Sequence, residues 1–200
     1  MVSSRYPLGG EASFGYVGRK RAQMRNLPFI LILSTLAAAA ACADTLPAPR
    51  GMPCRQGNGA ALDFWIGDWA VTDPDGTKAG ENRVERLLDG CAVIEHWHGA
   101  GAGDDGMSLF SYDARRGTWE QTWVTPDTAR PGGLKHKTMI ARRADGSVVF
   151  QGTIVTQTGA LLDRTTLSPV SPGHVRQLIE WSRDGGRSWK TVFDGRYARQ

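Results

Sequence analysis

Leu62-Asp63-Phe64-Trp65-Ile66-Gly67-Asp68-Trp69-Ala70-Val71 places two tryptophans four residues apart around a glycine, directly after a polar, glycine-containing lead-in. Aromatic and β-branched residues favour a pleated, half-buried surface. A glycine inside such a run marks a bend or a close backbone approach. The stretch therefore predicts the first strand of an all-β domain.

Turn signals recur at short intervals downstream. They include Asp73-Pro74-Asp75-Gly76, Asp89-Gly90, Gly99 to Gly106, Asp113 to Gly117, Pro131-Gly132-Gly133, Ala144-Asp145-Gly146, Ser171-Pro172-Gly173 and Arg183 to Gly186. Short segments between such turns read as antiparallel strands. The spacing predicts strands over 62–72, 78–88, 91–98, 107–112, 118–125, 134–142, 147–152, 161–168, 174–182 and 187–197. A meander of about ten strands hides its edges most simply by closing into a barrel.

The segment ahead of this domain has a different character. Met24-Arg25-Asn26 precedes an apolar run from Leu27 to Leu36 and alanines from Ala37 to Ala41. A basic start, a short apolar core and a small-residue exit predict a secretory signal peptide within residues 1–43, with Met24 as an alternative start. Two exits fit. Ala41-Cys42-Ala43 releases a chain from Asp44, whereas Ala39-Ala40-Ala41-Cys42 resembles a bacterial lipoprotein box that would anchor Cys42 to a membrane. The expected organisation is a leader over 1–43, an extended lead-in over 44–60 and a barrel over 61–200, periplasmic or secreted unless Cys42 is lipidated.

Removing that leader changes the charge balance. The whole chain carries 24 basic and 20 acidic residues; residues 1–43 hold five of the former and one of the latter, leaving 19 of each. A neutral domain without a lysine- or arginine-rich stripe argues against a nucleic-acid partner. Cys54 and Cys91 are the two cysteines beyond the leader. In an oxidising compartment such a pair closes, pinning the lead-in to the sheet with a stabilisation of ~3 kcal/mol.

Further landmarks carry a resemblance. Phe64-Trp65-Ile66-Gly67-Asp68-Trp69 resembles the Gly-x-Trp first strand of lipocalin-like (calycin) barrels. Leu88-Asp89-Gly90-Cys91, Glu95-His96-Trp97, Tyr112-Asp113, Trp119 to Val124 and Ser182 to Tyr197 resemble an uncharacterised bacterial family of secreted domains in that group. The resemblance spans about residues 61–199 and implies a barrel whose interior holds a small or apolar ligand. Ser182-x-Asp184-x-Gly186-x-Ser188-Trp189 also matches an Asp-box hairpin, a structural turn. It occurs once, which argues against a propeller built from repeated boxes.

Alternation assigns faces in three segments. Trp119, Gln121 and Trp123 share one face, as do Val93, Glu95 and Trp97, and Val175, Gln177, Ile179 and Trp181. If Trp97 points inward, so does Glu95, and a buried carboxylate needs partners. Arg164 is the expected basic partner, with Gln121 and Gln177 completing the network. Glu95, Trp97, Trp119, Gln121, Trp123, Arg164 and Gln177 are thus the candidate ligand-binding residues; the other reading is a satisfied polar cluster that fixes register.

No catalytic residue is assigned. The chain contains no Gly-x-Ser-x-Gly and no phosphate loop. Glu95 with another acid, such as Glu180, would be needed for acid–base work, but alternation sets Glu180 opposite Gln177 and Trp181. His96 and His98 share a face but face solvent, so no metal is expected. No cofactor is expected either: nitrobindin-like relatives of the fold hold haem through one histidine, and here His174 shares its face with Arg176 and Glu180. Non-catalytic binding of a small apolar or amphipathic ligand is the expected function. A hydrolase-like enzyme using the same cavity and a structural protein with a filled core are the alternatives.

Overall fold

The computed structural model describes residues 53–200. The leader, both exits and Cys42 lie outside the described residues. Ten antiparallel strands form a meander that closes on itself, because the first strand pairs with both the second and the last. They are β1 (Gly67–Thr72), β2 (Lys78–Leu87), β3 (Ala92–Gly99), β4 (Gly106–Asp113), β5 (Thr118–Val124), β6 (Leu134–Arg142), β7 (Val148–Thr156), β8 (Gly159–Ser171), β9 (His174–Ser182) and β10 (Lys190–Arg199). Closure leaves no unpaired edge, as the spacing of turn signals predicts.

Two boundaries differ from expectation. Residues 62–66 coil into a tight turn, Asp63–Trp65, and the strand starts at Gly67. Ala61, Leu62 and Trp65 are all buried, a spacing of three that suits a turn capping the barrel rather than a strand along its wall. The β7–β8 hairpin also runs further than the turn signals suggested. Thr156 pairs with Gly159 across a two-residue loop, while Val155 projects into solvent and breaks the apolar rhythm.

The interior divides into a filled half and a hollow half. Trp65, Trp69, Phe110, Trp119, Phe150 and Tyr197 fill one end, each no more than 1 % exposed. The Trp65 and Phe110 rings meet edge to face at 5.4 Å, and Phe110 meets Phe150 likewise at 5.4 Å. The lead-in seals this end: Asn58 donates to the Gly117 carbonyl at 3.0 Å, and the Trp119 indole donates to the Asn58 carbonyl at 2.8 Å. Cys54 and Cys91 form a disulfide that ties the lead-in to the turn before β3. Closure of a loop of this length is worth about 3–4 kcal/mol, and the bridge fits a non-cytosolic environment.

Gly67 explains the opening motif. Its φ of 141° lies outside the range of ordinary side chains, and a Cβ there would collide with the Arg199 guanidinium. That guanidinium lies over the Trp69 ring at 4.5 Å and donates to the Ile66 carbonyl at 2.9 Å. The glycine thus makes room for a clasp between the first and last strands.

Candidate functional site

Opposite the plug the barrel opens into a cup of about 580 Å³. Trp97, Trp123, Trp181 and Phe193 form its walls; Glu95, Gln121, Lys137, Thr165 and Gln177 form its floor. The wall tryptophans sit where neighbouring strands carry glycine. A Cβ on Gly80 would strike the Trp97 indole, and one on Gly106 would strike that of Trp123. Trp97 also meets Phe193 edge to face at 5.8 Å.

The floor is a belt of buried polar side chains. Glu95, 2 % exposed, accepts from Asn82 Nδ2 at 2.9 Å and from Ser108 Oγ at 2.6 Å. Gln121 Nε2 donates to the same Ser108 hydroxyl at 3.0 Å. Because that hydroxyl hydrogen goes to Glu95, Ser108 can only accept from Gln121, which fixes the amide orientation. Across the barrel the Tyr197 hydroxyl donates to Gln177 Oε1 at 2.5 Å. Between these groups, Lys137 Nζ donates to Asp163 Oδ1 at 2.9 Å and to Thr165 Oγ1 at 2.5 Å. Lys135 Nζ approaches Asp163 Oδ2 at 3.4 Å.

The Lys137–Asp163 pair spans an intervening strand. Gly152 of β7 is in register with both residues, and its missing side chain lets the lysine cross to the carboxylate. A Cβ at Gly152 would collide with the His136 carbonyl, so the backbones also pack closely here.

Burial sets the protonation of the floor. It raises the Glu95 carboxyl above its usual value of 4.5, against the Ser108 and Asn82 bonds and the positive fields of Lys135 and Lys137. Burial lowers Lys137 from 10.5 to about 8, opposed by Asp163 and assisted by Lys135. It also raises Tyr197 well above 10, helped by the negative field of Glu95.

These directions give a pH signature. Between 4.5 and the raised value of Glu95 the folded state holds the proton more tightly, so this group's stabilisation is complete in acid and fades as pH rises. Lys137 acts with the opposite slope: from about 8 to 10.5 the unfolded chain holds the extra proton, and stability rises with pH. Urea unfolding of Glu95→Gln should lack the loss of stability expected of the wild type as pH rises above 4.5. Superimposable stability–pH curves over pH 4–8 would mean that Glu95 titrates normally.

The expected site residues are only partly assembled. Glu95, Trp97, Gln121, Trp123 and Gln177 converge on the cup. Trp119 also points inward, but it lies in the filled half, fully buried and stacked against Tyr112 at a centroid distance of 5.2 Å. Its level on β5, two residues nearer the plug than Gln121, is the reason. Arg164 is a correction. Asp163 and Thr165 point into the barrel, so Arg164 between them points out. It pairs with Glu180 at 2.9 Å and covers the Trp189 ring at 3.8 Å. The cations near Glu95 are Lys135 and Lys137 instead.

The remaining polar landmarks lie outside the cup. Asp184 accepts from the Ser188 amide and from the Ser182 and Ser188 hydroxyls, which hold its carboxyl down at about 2. It is the turn residue expected of an Asp box. His96 and His98 sit on the outer face near Glu85 and Asp105, and exposed His174 bonds to Ser171. Among the described residues, no three His, Cys, Asp or Glu side chains are grouped to hold a metal ion. Neither a protein-family profile nor a curated protein matches the chain.

Proposed function

We propose that this protein is an exported, lipocalin-like barrel that binds a small apolar or amphipathic molecule in its open cup without acting chemically on it. The observation that carries this reading is the division of the interior. One half is packed with its own aromatic side chains, while the other encloses about 580 Å³ between indole walls and a polar floor. Ligand pockets of ~300–1,000 Å³ combine apolar walls with placed polar groups, and this cup sets Trp97, Trp123, Trp181 and Phe193 against a polar floor. The leader-like segment over 1–43 and the Cys54–Cys91 bridge support export. The Gly67-x-Trp69 motif on the first strand and the closed ten-strand meander support the lipocalin-like reading.

The test is a tryptophan-fluorescence titration with fatty acids, sterols, small aromatics and haem. Trp97, Trp123 and Trp181 line the cup, so an occupant should change their emission. Trp123→Ala should weaken the best ligand by about tenfold. Silence across the whole panel would contradict the proposal.

A further inference from the structure

The donors and acceptors of the cup are unevenly distributed, and the imbalance identifies a ligand class. The inference rests on the binding function proposed above. One wall, built from β6, β8 and β9, presents donors. Lys135 and Lys137 share a single carboxylate, Asp163, which is completely buried between them. Two ammonium groups share this one carboxylate, and the floor's other carboxyl, Glu95, is committed to Asn82 and Ser108, so one ammonium has no ion-pair partner of its own. Trp181 sits in register with Asp163, and its indole N–H has no hydrogen-bond partner in the protein. The Trp181 ring and the Lys135 stem both lie beside Gly132, which places them next to each other. Gln177 spends its amide oxygen on Tyr197, so its amide nitrogen is the group it offers to the cup. Of the acceptors without a hydrogen-bond partner, Asn82 Oδ1, Gln121 Oε1 and Asp163 Oδ2, only Gln121 belongs to a residue that lines the cup, and it lies on the opposite wall.

We propose that the cup selects a small organic monocarboxylate, its carboxylate set against Lys135, Lys137 and the Gln177 amide, and its apolar body lying between Trp97, Trp123 and Trp181. One uncompensated ammonium suits a single negative charge. A phosphate dianion would face the Gln121 carbonyl oxygen, and the further cations of the lining, Lys78 and Arg130, are already paired with Glu81 and Asp104. A cationic ligand would meet two ammonium groups on this wall, while Glu95 on the floor is already engaged by Asn82 and Ser108. Lys137 is a poor nucleophile for a carbonyl ligand, since two of its three N–H bonds go to Asp163 and Thr165. Electrostatic recognition is the role its geometry fits.

Isothermal titration calorimetry at pH 7 with decanoate, decan-1-ol and decylamine tests this on one apolar body with three heads. Decanoate should bind at least about tenfold tighter than the alcohol, and the amine should bind weakest, as a charge-assisted contact requires. Lys135→Gln should bring the carboxylate-to-alcohol ratio close to one while shifting the alcohol by no more than roughly twofold. Gln177→Glu keeps an acceptor for Tyr197 but turns a carboxylate toward the ligand, and it should abolish decanoate binding while sparing decan-1-ol. Circular dichroism and alcohol binding report that each variant is folded. Equal binding of decanoate and decan-1-ol by the wild type, or a preference that survives both substitutions, overturns the carboxylate assignment and leaves the binding function standing. Binding of none of the three overturns the carboxylate assignment, and silence of the wider fluorescence panel as well overturns the binding function.

Discussion

Replacing Asp163 with alanine is expected to destabilise the barrel by about 3–5 kcal/mol, because it strands the buried Lys137 ammonium in the interior. The Asp163 side chain is completely buried, and it is the one carboxylate within reach of both Lys137 and Lys135. The Coulomb gain of a buried pair is offset by desolvation, so the pair adds little net stability, yet removing one partner leaves the other uncompensated. This distinction yields a second arm. The double variant Lys137→Met, Asp163→Leu removes the pair together and should recover most of the loss. Lys135 is left, and its side chain is partly exposed and can turn toward solvent. Urea unfolding of the three proteins checks the account. A single-variant loss under about 1 kcal/mol would mean that water already screens Asp163.

Trp65→Ala should produce a loss of similar size, about 3–5 kcal/mol, through a cavity in the filled half. The indole is fully buried against Phe110. Trp65→Phe provides the sharper comparison. The Trp65 ring nitrogen has no hydrogen-bond partner, and the bond from Trp69 Nε1 goes to the Trp65 backbone carbonyl, which any residue supplies. Phenylalanine therefore keeps the edge contact and buries no unmatched donor, so its loss should stay under about 1.5 kcal/mol. Ligand titrations of Trp65→Phe should match wild type, since the plug and the cup occupy opposite halves. A large loss from Trp65→Phe would reveal a polar role for that nitrogen which the packing does not show.

Much of the barrel was legible because its turns are chemically explicit. Asp75-Gly76, Asp145-Gly146 and Pro172-Gly173 each end in a glycine at positive φ, and each separates two strands of the meander. The cup was legible where aromatic residues declared a face: Trp97 carried Glu95 inward, and Trp181 carried Gln177. The missed residues lie on strands whose inward face is polar. In Lys135-His136-Lys137-Thr138-Met139 the inward residues include two lysines, which the usual apolar-in rule assigns to solvent. Ile140, exposed outside a bulge, pulled the pattern further astray. A usable signal was present: counting back by twos from buried Met139 reaches Lys137 and Lys135. The same parity from Leu161 and Leu167 reaches Asp163 and Thr165, and it would have placed Arg164 outside.

Ser108 and Asn82 escaped notice for a different reason. Both are small neutral polar residues that usually sit on surfaces, and only their distance to Glu95 reveals them. Partner choice inside a barrel depends on strand register, here Glu95 against Ser108 and Gln121 against Lys137. Register across ten strands is a tertiary property that alternation within one strand does not encode.

The central claim is that the hollow half of the barrel is a ligand site. Native mass spectrometry of the protein purified from its own host under non-denaturing conditions tests it most directly. The account predicts a species heavier than the polypeptide by one small molecule, released on acid denaturation and depleted in Trp123→Ala. A native mass equal to that of the bare polypeptide, in protein that also gives no fluorescence response to any added ligand, would contradict it.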